Sequence, residues 1–321
     1  MTRAGLPGDG LERIAAIASL RIWTGAEPPT VDQLAELVHD SSVLLCVNGD
    51  PVTSELLERC RQLSLVALAT AGYDSVDVEA TSRLGIRVTN TPGVLDDATA
   101  DLTFALILAA RRRVAEADRY VREGRWTEPA FTAFLAPDVH SSRLGLIGYG
   151  GVGRAVARRA QGFGMVVRHH TRSRHEDDLS KWLPLDELLR TSDIVSLHVP
   201  LTPDTRGLIG EPELRLMKST ATLVNTSRGA VVDEAALARA LQEGWIHSAG
   251  LDVRRLEPTP RLEDPLASLE NCVLLPHIAS ATHAARVAMA DLAVDNVLAY
   301  LAGHSLLSAV ADQGHDLRRA D

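Results

Sequence analysis

The sequence predicts an α/β protein made of two doubly wound parallel-sheet domains, one inserted into the other, and three observations carry that expectation. Strand-like apolar runs alternate with helical runs along nearly all of the 321 residues, the pattern of parallel sheets covered by helices. A glycine-rich segment, Gly148 to Gly153, stands between one such strand and one such helix and opens a second strand series. A last helix, about Ala284 to Tyr300, follows the sixth strand of that series and has no place in its sheet. It is expected to return to the first domain, which is then discontinuous: 1–94 with 284–321, against 95–283 for the inserted domain.

Bulk composition bounds the function. Hydrophobic residues are 45% and charged residues 23%, ordinary for a soluble globular chain, and the formal net charge is −9. No basic stripe interleaved with aromatics is present, so the acidic balance speaks against nucleic acid. Lys181 and Lys218 are the only lysines, a skew expected of a GC-rich genome. Cys46, Cys60 and Cys272 are scattered and odd in number, which fits reduced thiols in a cytoplasmic protein. The longest apolar helix candidate, Leu102 to Ala110, stops at Arg111-Arg112-Arg113, far short of the roughly 20 residues that span a bilayer. No membrane association and no secretion signal are expected.

In chain order, Ser42 to Val47, Leu63 to Leu68 and Ile86 to Thr89 read as buried strands, with helices at Thr53 to Arg61 and Asp77 to Leu84 between them. A single amphipathic helix is expected from about Asp96 to Glu123, ending at Gly124 and suited to connecting domains or packing subunits. After a loop rich in Pro, Phe and Ala, six strands follow: Leu144 to Ile147, Val166 to His169, Ile194 to His198, Leu223 to Asn225, Ala249 to Val253 and Val273 to Leu275. Six strands with intervening helices make a complete Rossmann unit for a dinucleotide.

Gly148-Tyr149-Gly150-Gly151-Val152-Gly153 matches G-x-G-x-x-G in the strand–turn–helix context that gives the pattern meaning. The glycines allow a tight turn and close backbone approach to a pyrophosphate, and the helix N-terminus supplies free N–H groups and positive dipole. The second strand of such a unit ordinarily ends in an acid that holds the ribose hydroxyls. Here it ends His169-His170-Thr171-Arg172-Ser173-Arg174, with no carboxylate before Glu176. Thr171, Arg172, Ser173 and Arg174 offer donors and charge to a 2′-phosphate, so NADP(H) is favoured over NAD(H); the alternative is a solvated basic turn. His169 and His170 read as packing and surface residues.

Three later strands each run into a different ionisable group: Asn225-Thr226-Ser227-Arg228-Gly229, Leu256-Glu257-Pro258 and Leu275-Pro276-His277. Carboxyl ends of parallel strands are where ligands bind. A cation, an acid and an imidazole there suggest carbonyl chemistry on an anionic substrate. Arg228 would hold a carboxylate and polarise the ketone, His277 would give the proton, and Glu257 would fix the imidazole tautomer. Singly, each has a structural alternative: a surface ion pair, a helix cap, a core histidine. Asp193 and His198 invite a second relay but read as a junction cap and a buried strand residue. No metal site is expected.

Together these segments resemble the D-isomer-specific 2-hydroxyacid dehydrogenases. The resemblance extends to Ala71-Gly72-Tyr73-Asp74, Asn90 to Leu95, Ala98-Thr99-Ala100-Asp101, Gly250-Leu251-Asp252-Val253 and Pro276 to Thr282. Within the family the chain looks most like glyoxylate/hydroxypyruvate reductases, through Asp97 to Leu102 and the basic turn Thr171 to Arg174. The resemblance implies a flavodoxin-like substrate domain around the Rossmann domain, and a two-fold homodimer. It implies that Asp252 anchors the nicotinamide carboxamide. Thr99, Val199, Pro200, Thr205, Thr226, Ser227 and Ser280 would join the glycine loop in cofactor binding. Backbone groups of Ala71 and Gly72 would hold the substrate carboxylate, with Asn48 and Gly49 facing its C3 substituent. A small glycine and one amide suit glyoxylate, hydroxypyruvate or another short polar 2-oxo acid.

Two departures stand out. Relatives carry an apolar strand before the segment matching Thr2 to Pro7, whereas this chain starts at Met1. The expectation is a start further upstream or a truncated chain, with a hole where a central strand would lie. The loop Val253-Arg254-Arg255-Leu256-Glu257 is basic where relatives are commonly acidic, and both arginines are expected to face solvent. Two rival functions remain: a dinucleotide-sensing, co-repressor-like binding module, and a dehydrogenase acting on a non-2-oxo-acid anion such as phosphite.

Overall fold

The computed structural model describes residues 5–25, 27–47, 49–129, 131–259 and 264–310. The chain divides into two compact units, 1–95 with 281–321, and 96–280. Both are parallel-sheet α/β structures.

The first unit begins with α1 (Gly10–Ala15) and α2 (Val31–Val38), then alternates β1 (Val43–Cys46), α3 (Ser54–Arg59), β2 (Leu65–Leu68), α4 (Val78–Leu84) and β3 (Arg87–Thr89). A capping box starts α2: Gln33 N–H donates to Thr30 Oγ1 and Thr30 N–H to the Gln33 side chain. The strands pair in the order β1-β2-β3. Period-two alternation splits their side chains between two cores. Leu44, Cys46, Val66, Leu68 and Val88 pack with Leu34, Leu56 and Leu57 of α2 and α3. Leu45, Leu65 and Ala67 pack with Ile14 of α1 and with Ala293, Val294 and Val297 of α11 (His283–Leu301), the last helix of the chain. Among the described residues strand β1 is paired on one side only. Beside it lie hollows of about 460 Å³, walled by Val43, Leu45, Ile14 and Val297, and about 420 Å³, walled by Val47, Ala69 and Met289.

The second unit runs α5 (Asp96–Arg111), α6 (Val114–Arg122), β4 (Arg143–Ile147), α7 (Gly151–Gln161), β5 (Val166–His170) and β6 (Lys181–Trp182). It continues through α8 (Leu185–Thr191), β7 (Ile194–Leu197), α9 (Glu211–Leu216), β8 (Thr222–Asn225), α10 (Glu234–Gln242), β9 (Ser248–Leu251) and β10 (Cys272–Leu274). The sheet order is β10-β9-β8-β7-β4-β5-β6, all parallel. Winding reverses between β4 and β7, the switch point at which such sheets bind ligands beyond their carboxyl ends.

Two expectations are corrected here. The helix expected from Asp96 to Glu123 is two helices, broken at Arg112–Arg113, where Arg113 takes the left-handed φ of 56°. The cause is tertiary: Arg111 turns inward and donates to the carbonyls of Asp138 (2.7 Å), Asp193 (2.8 Å) and Thr220 (3.0 Å). The sheet also has a seventh strand, β6, whose two residues are too few to show a period. Among the described residues no helix is long and apolar enough to cross a membrane.

Candidate active site

The loop after β8 is built by one buried amide. Asn225 Oδ1 accepts from the N–H (2.9 Å) and hydroxyl (2.8 Å) of Ser227, and Asn225 Nδ2 donates to the Arg228 carbonyl at 2.9 Å. This fixes a turn from which Arg228 emerges half-buried, its Nη1 donating to the Ser227 carbonyl at 2.9 Å. Thr226 is tied to α5, with its hydroxyl 3.1 Å from that of Thr103, which in turn donates to the Thr99 carbonyl at 2.8 Å.

Asp252, fully buried at the end of β9, organises the loop after β10. Its carboxylate accepts the N–H groups of Ile278 and Ala279, each at 2.8 Å, and its carbonyl accepts that of His277 at 2.8 Å. Three consecutive N–H groups are thus held by one residue. Burial pushes the Asp252 carboxyl above the ordinary range, and the two carboxylate bonds offset this only in part. The loop needs that grip because His277 has a φ of 56°, a left-handed conformation rare outside glycine and costing roughly 1–3 kcal/mol. Such strain persists only where the surroundings over-determine it.

The histidine so placed meets Glu257: His277 Nδ1 lies 2.6 Å from Glu257 Oε2, and both side chains are about one third exposed, each at 32%. Glu257 Oε1 accepts the Arg254 N–H at 2.6 Å. Burial pushes the Glu257 carboxyl up, but the bonds from His277 and Arg254, with the charges of His277 and Arg228, outweigh it and leave the carboxyl below its usual value. With Nδ1 engaged by the acid, Nε2 is the ring nitrogen left for a substrate. Arg254 itself does not face solvent as expected. Its side chain is 8% exposed and paired with both Glu234 and Asp264, partners too distant in sequence for a local reading to connect.

At the switch point, Gly148 has a φ of 95° and lies so close to the backbone of His198 that a Cβ would collide with it. A Cβ on Gly153 would come within 2.5 Å of the Gly148 carbonyl oxygen. No side chain caps α7, and the space over Gly150 is open, so N–H donors of the first turn remain for an anion. These features fit a dinucleotide pyrophosphate. Tyr149 is buried, stacked on His169, and donates to Asp177 at 2.8 Å. The basic turn Thr171–Arg174 lies at the end of β5, closed by Thr171 Oγ1 donating to the Ser173 carbonyl and by Trp182 Nε1 donating to that of Thr171. Arg172 is exposed and has no ion pair among the described residues, whereas Arg174 pairs with Glu176 and lies 5.6 Å from the Trp182 ring centre.

In the first unit, Gly49 follows β1 with a φ of 89°, and its neighbour Asp50 is buried and accepts the Val47 N–H at 2.9 Å. Asn48 lies outside the described residues. The loop after β2 has both carbonyls of interest occupied: Asn90 Nδ2 donates to Ala71 (2.6 Å) and Thr70 Oγ1 to Gly72 (2.8 Å). The Ala71 and Gly72 N–H groups donate to no described residue.

Comparison with known proteins decides the family. Residues 104–279 match the model of the D-isomer specific 2-hydroxyacid dehydrogenase NAD binding domain. A glyoxylate reductase of Korarchaeum cryptofilum is 48% identical over 303 residues, covering 93% of this chain and 91% of that protein. The chain belongs to the D-isomer-specific 2-hydroxyacid dehydrogenases. It is an oxidoreductase by that membership. A glyoxylate reductase of Thermococcus litoralis is 44% identical over 306 residues, 93% of this chain and 92% of its own. Among solved structures, an NADPH-dependent glyoxylate/hydroxypyruvate reductase of Sinorhizobium meliloti, in complex with NADP and malonate, superposes with a TM-score of 0.88. It is 35% identical, covering 99% of this chain and 98% of that one.

In this dehydrogenase the remaining candidate residues are distributed as follows. Val199 and Pro200 follow β7, and the hydroxyl of Thr205 closes their loop by donating to the Pro200 carbonyl at 2.6 Å. Ser280 ends the loop that Asp252 holds. Thr99 is buried in α5, one hydrogen-bond step from Thr103 and two from Thr226. Asp193 accepts from Lys218 (2.7 Å) and the Arg143 N–H (2.9 Å), and His198 contacts Ser196 Oγ at 2.9 Å with its pKa pushed down by burial to about 3. Sequence reasoning missed Thr103, Asp177 and the Asn225 turn; the signal that could have found the last two is the Asx turn, an Asn or Asp accepting from the N–H two residues on.

Proposed function

We propose that this dehydrogenase reduces a small 2-oxo acid of the glyoxylate or hydroxypyruvate class, with NADPH preferred over NADH. The observation that carries the reading is the Glu257–His277 pair, 2.6 Å apart and within range of the Arg228 charge, at the carboxyl ends of β8, β9 and β10. Arg228 binds the substrate carboxylate and polarises the ketone through its planar fork. His277 delivers a proton from Nε2 to the oxygen as negative charge develops there, and takes it back in the oxidative direction. Glu257 accepts from Nδ1–H, which fixes the tautomer and compensates the imidazolium. A nicotinamide dinucleotide bound along the Gly148–Gly153 loop would supply the hydride. The resemblance assigns the nicotinamide carboxamide to Asp252, whose buried carboxylate in this structure holds the Ile278 and Ala279 N–H groups. The resemblance assigns the substrate carboxylate to the N–H groups of Ala71 and Gly72, and the C3 substituent to Asn48 and Gly49.

Gly148 to Gly153 hold the pyrophosphate, flanked by Val199, Pro200, Thr205, Thr226, Ser227, Ser280 and Thr99. The absence of any acid from Thr171 to His175 favours a 2′-phosphate, with Arg172 as the available cation. The names of the curated relatives and the NADPH-dependent structural neighbour support both choices. The three cysteines are free and buried, as suits a cytoplasmic enzyme. We further infer a homodimer, from the apolar face that α6 and the following loop expose.

The test is a spectrophotometric panel following NADPH and NADH with glyoxylate, hydroxypyruvate, pyruvate, 2-oxoglutarate and, in the oxidative direction, phosphite. Turnover is expected with NADPH and the first two acids. Inactivity toward every 2-oxo acid overturns the substrate class, and NADH used as well as NADPH overturns the cofactor preference. Arg172→Ala should raise the KM for NADPH roughly tenfold, the loss of one charge-assisted contact, and leave that for NADH unchanged.

A further inference from the structure

Around Arg254 the second unit contains a buried ion cluster on which the chemistry above makes no demand. Arg254 Nη2 donates to Asp264 Oδ1 at 2.6 Å and Nη1 to Asp264 Oδ2, while Nε donates to Glu234 Oε1 at 3.2 Å. Asp264 is as buried as the guanidinium and Glu234 nearly so. Burial pulls the Arg254 pKa down, but the two acids more than offset it, so the cation is held above its ordinary value. Desolvation consumes much of the Coulomb gain in such a cluster, so stability alone is a weak reason for it, and fixing a geometry is the better-attested use.

The geometry it fixes is that of the site. Arg254 N–H donates to Glu257 Oε1 at 2.6 Å, and Arg255 N–H donates to Glu234 Oε1 at 2.6 Å. Gly229, next to Arg228, backs so tightly on the Arg254–Arg255 peptide that a Cβ would collide with the Arg254 carbonyl. Glu234 opens α10, directly after the Arg228 loop, and Asp264 is anchored separately by accepting the Leu266 N–H at 2.8 Å. From Arg255 through Pro258 the chain is exposed, so the Arg254 side chain is the buried anchor next to Glu257.

We propose that Arg254 is a positioning residue: gripped by Glu234 and Asp264, it sets the 254–257 turn so that Glu257 meets His277 while the Arg228 loop lies against the same peptide. The proposal rests on the reading of Glu257 and His277 as the proton-handling pair. The charged groups near Glu257 are His277, Arg228 and Asp252, on neighbouring loops, and all three remain when Arg254 is replaced. Without the anchor the turn loosens. Glu257 then loses part of its bonds to His277 and the Arg254 N–H, and its carboxyl titrates at higher pH.

The experiment compares wild type with Arg254→Gln, Arg254→Lys and Asp264→Asn, all as full chains. The Glu257 carboxyl is followed by ¹³C NMR in the absence of dinucleotide, its resonance identified by its disappearance in Glu257→Gln. The pH profile of kcat/KM is measured alongside. Arg254→Gln should move the Glu257 titration and the acid limb of kcat/KM upward together and lower kcat/KM at neutral pH roughly 10- to 100-fold, the cost of a slight misplacement. The dinucleotide Kd should stay unchanged, and Arg254→Lys should recover part of the loss. If Arg254→Gln does not fold, Asp264→Asn releases the grip with the guanidinium kept. A folded Arg254→Gln or Asp264→Asn protein with wild-type Glu257 titration and acid limb overturns the proposal, whatever its stability. Should wild type reduce no 2-oxo acid, the functional reading fails while the NMR titration still decides the positioning role.

Discussion

His277 and Glu257 are asked to do different things, and substitution should separate them. His277→Ala removes the proposed proton donor and is expected to lower kcat about 10²- to 10⁴-fold with the dinucleotide Kd nearly unchanged, read by steady-state kinetics and fluorescence titration. Glu257→Gln keeps the shape but not the charge, so the loss should be smaller. Because the Glu257 carboxyl is depressed in the fold, its ionised state persists as pH falls below the ordinary glutamate value and is lost only through the lower folded value. The acid limb of kcat/KM should therefore lie below about 4.3 in wild type, and Glu257→Gln should abolish it. A His277→Ala enzyme of unchanged kcat would place the donor elsewhere. Arg228, Glu257 and His277 were singled out as candidates in sequence because each follows an apolar run within a few residues. Their supports were not: Asn225 makes the Arg228 turn, Asp252 holds three N–H groups of the His277 loop, and Arg254 meets acids 10 and 20 residues away.

At the level of elements, strands and the glycine loop could be read because their signals are local: period two, and a tight turn that only glycine permits at Gly148. The break between α5 and α6 could not, because Arg111, Arg112 and Arg113 are all good helix formers and the stop is imposed from outside. Arg111 is 3% exposed and supplies donors to three carbonyls from separate segments, so it pins the end of α5 to the loops before β4, β7 and β8. Arg111→Met would fill similar space but leave those carbonyls without their donor. The cost should be about 3 kcal/mol, a fall in Tm of roughly 6–12 °C by calorimetry, with little change in KM for either substrate. A Tm within 2 °C of wild type would mean that water replaces the guanidinium at no cost.

Over the whole chain, alternating runs revealed two parallel-sheet units because the central strands bury both faces and the helices that cover them bury one, a regularity that survives any detail of packing. What alternation cannot reveal is which surface meets another molecule. Here the structure contributes a specific face. Helix α6 has no buried residue; Val114 and Val121 are more than half exposed, Trp126 is 64% exposed, and Phe131 is fully so, with Leu135 beyond. Within this face Tyr120 lies edge-on to Phe134 at 5.3 Å and Arg113 pairs with Glu116. An uncovered apolar surface is unusual for a monomer, and a two-fold axis would set it against its own copy. Sedimentation equilibrium at micromolar concentration should give the mass of two chains. Trp126→Glu combined with Phe131→Glu should give the mass of one, because each dimer would bury four new carboxylates without partners. A monomeric wild type removes the dimer, and a dimeric double variant moves its interface away from α6.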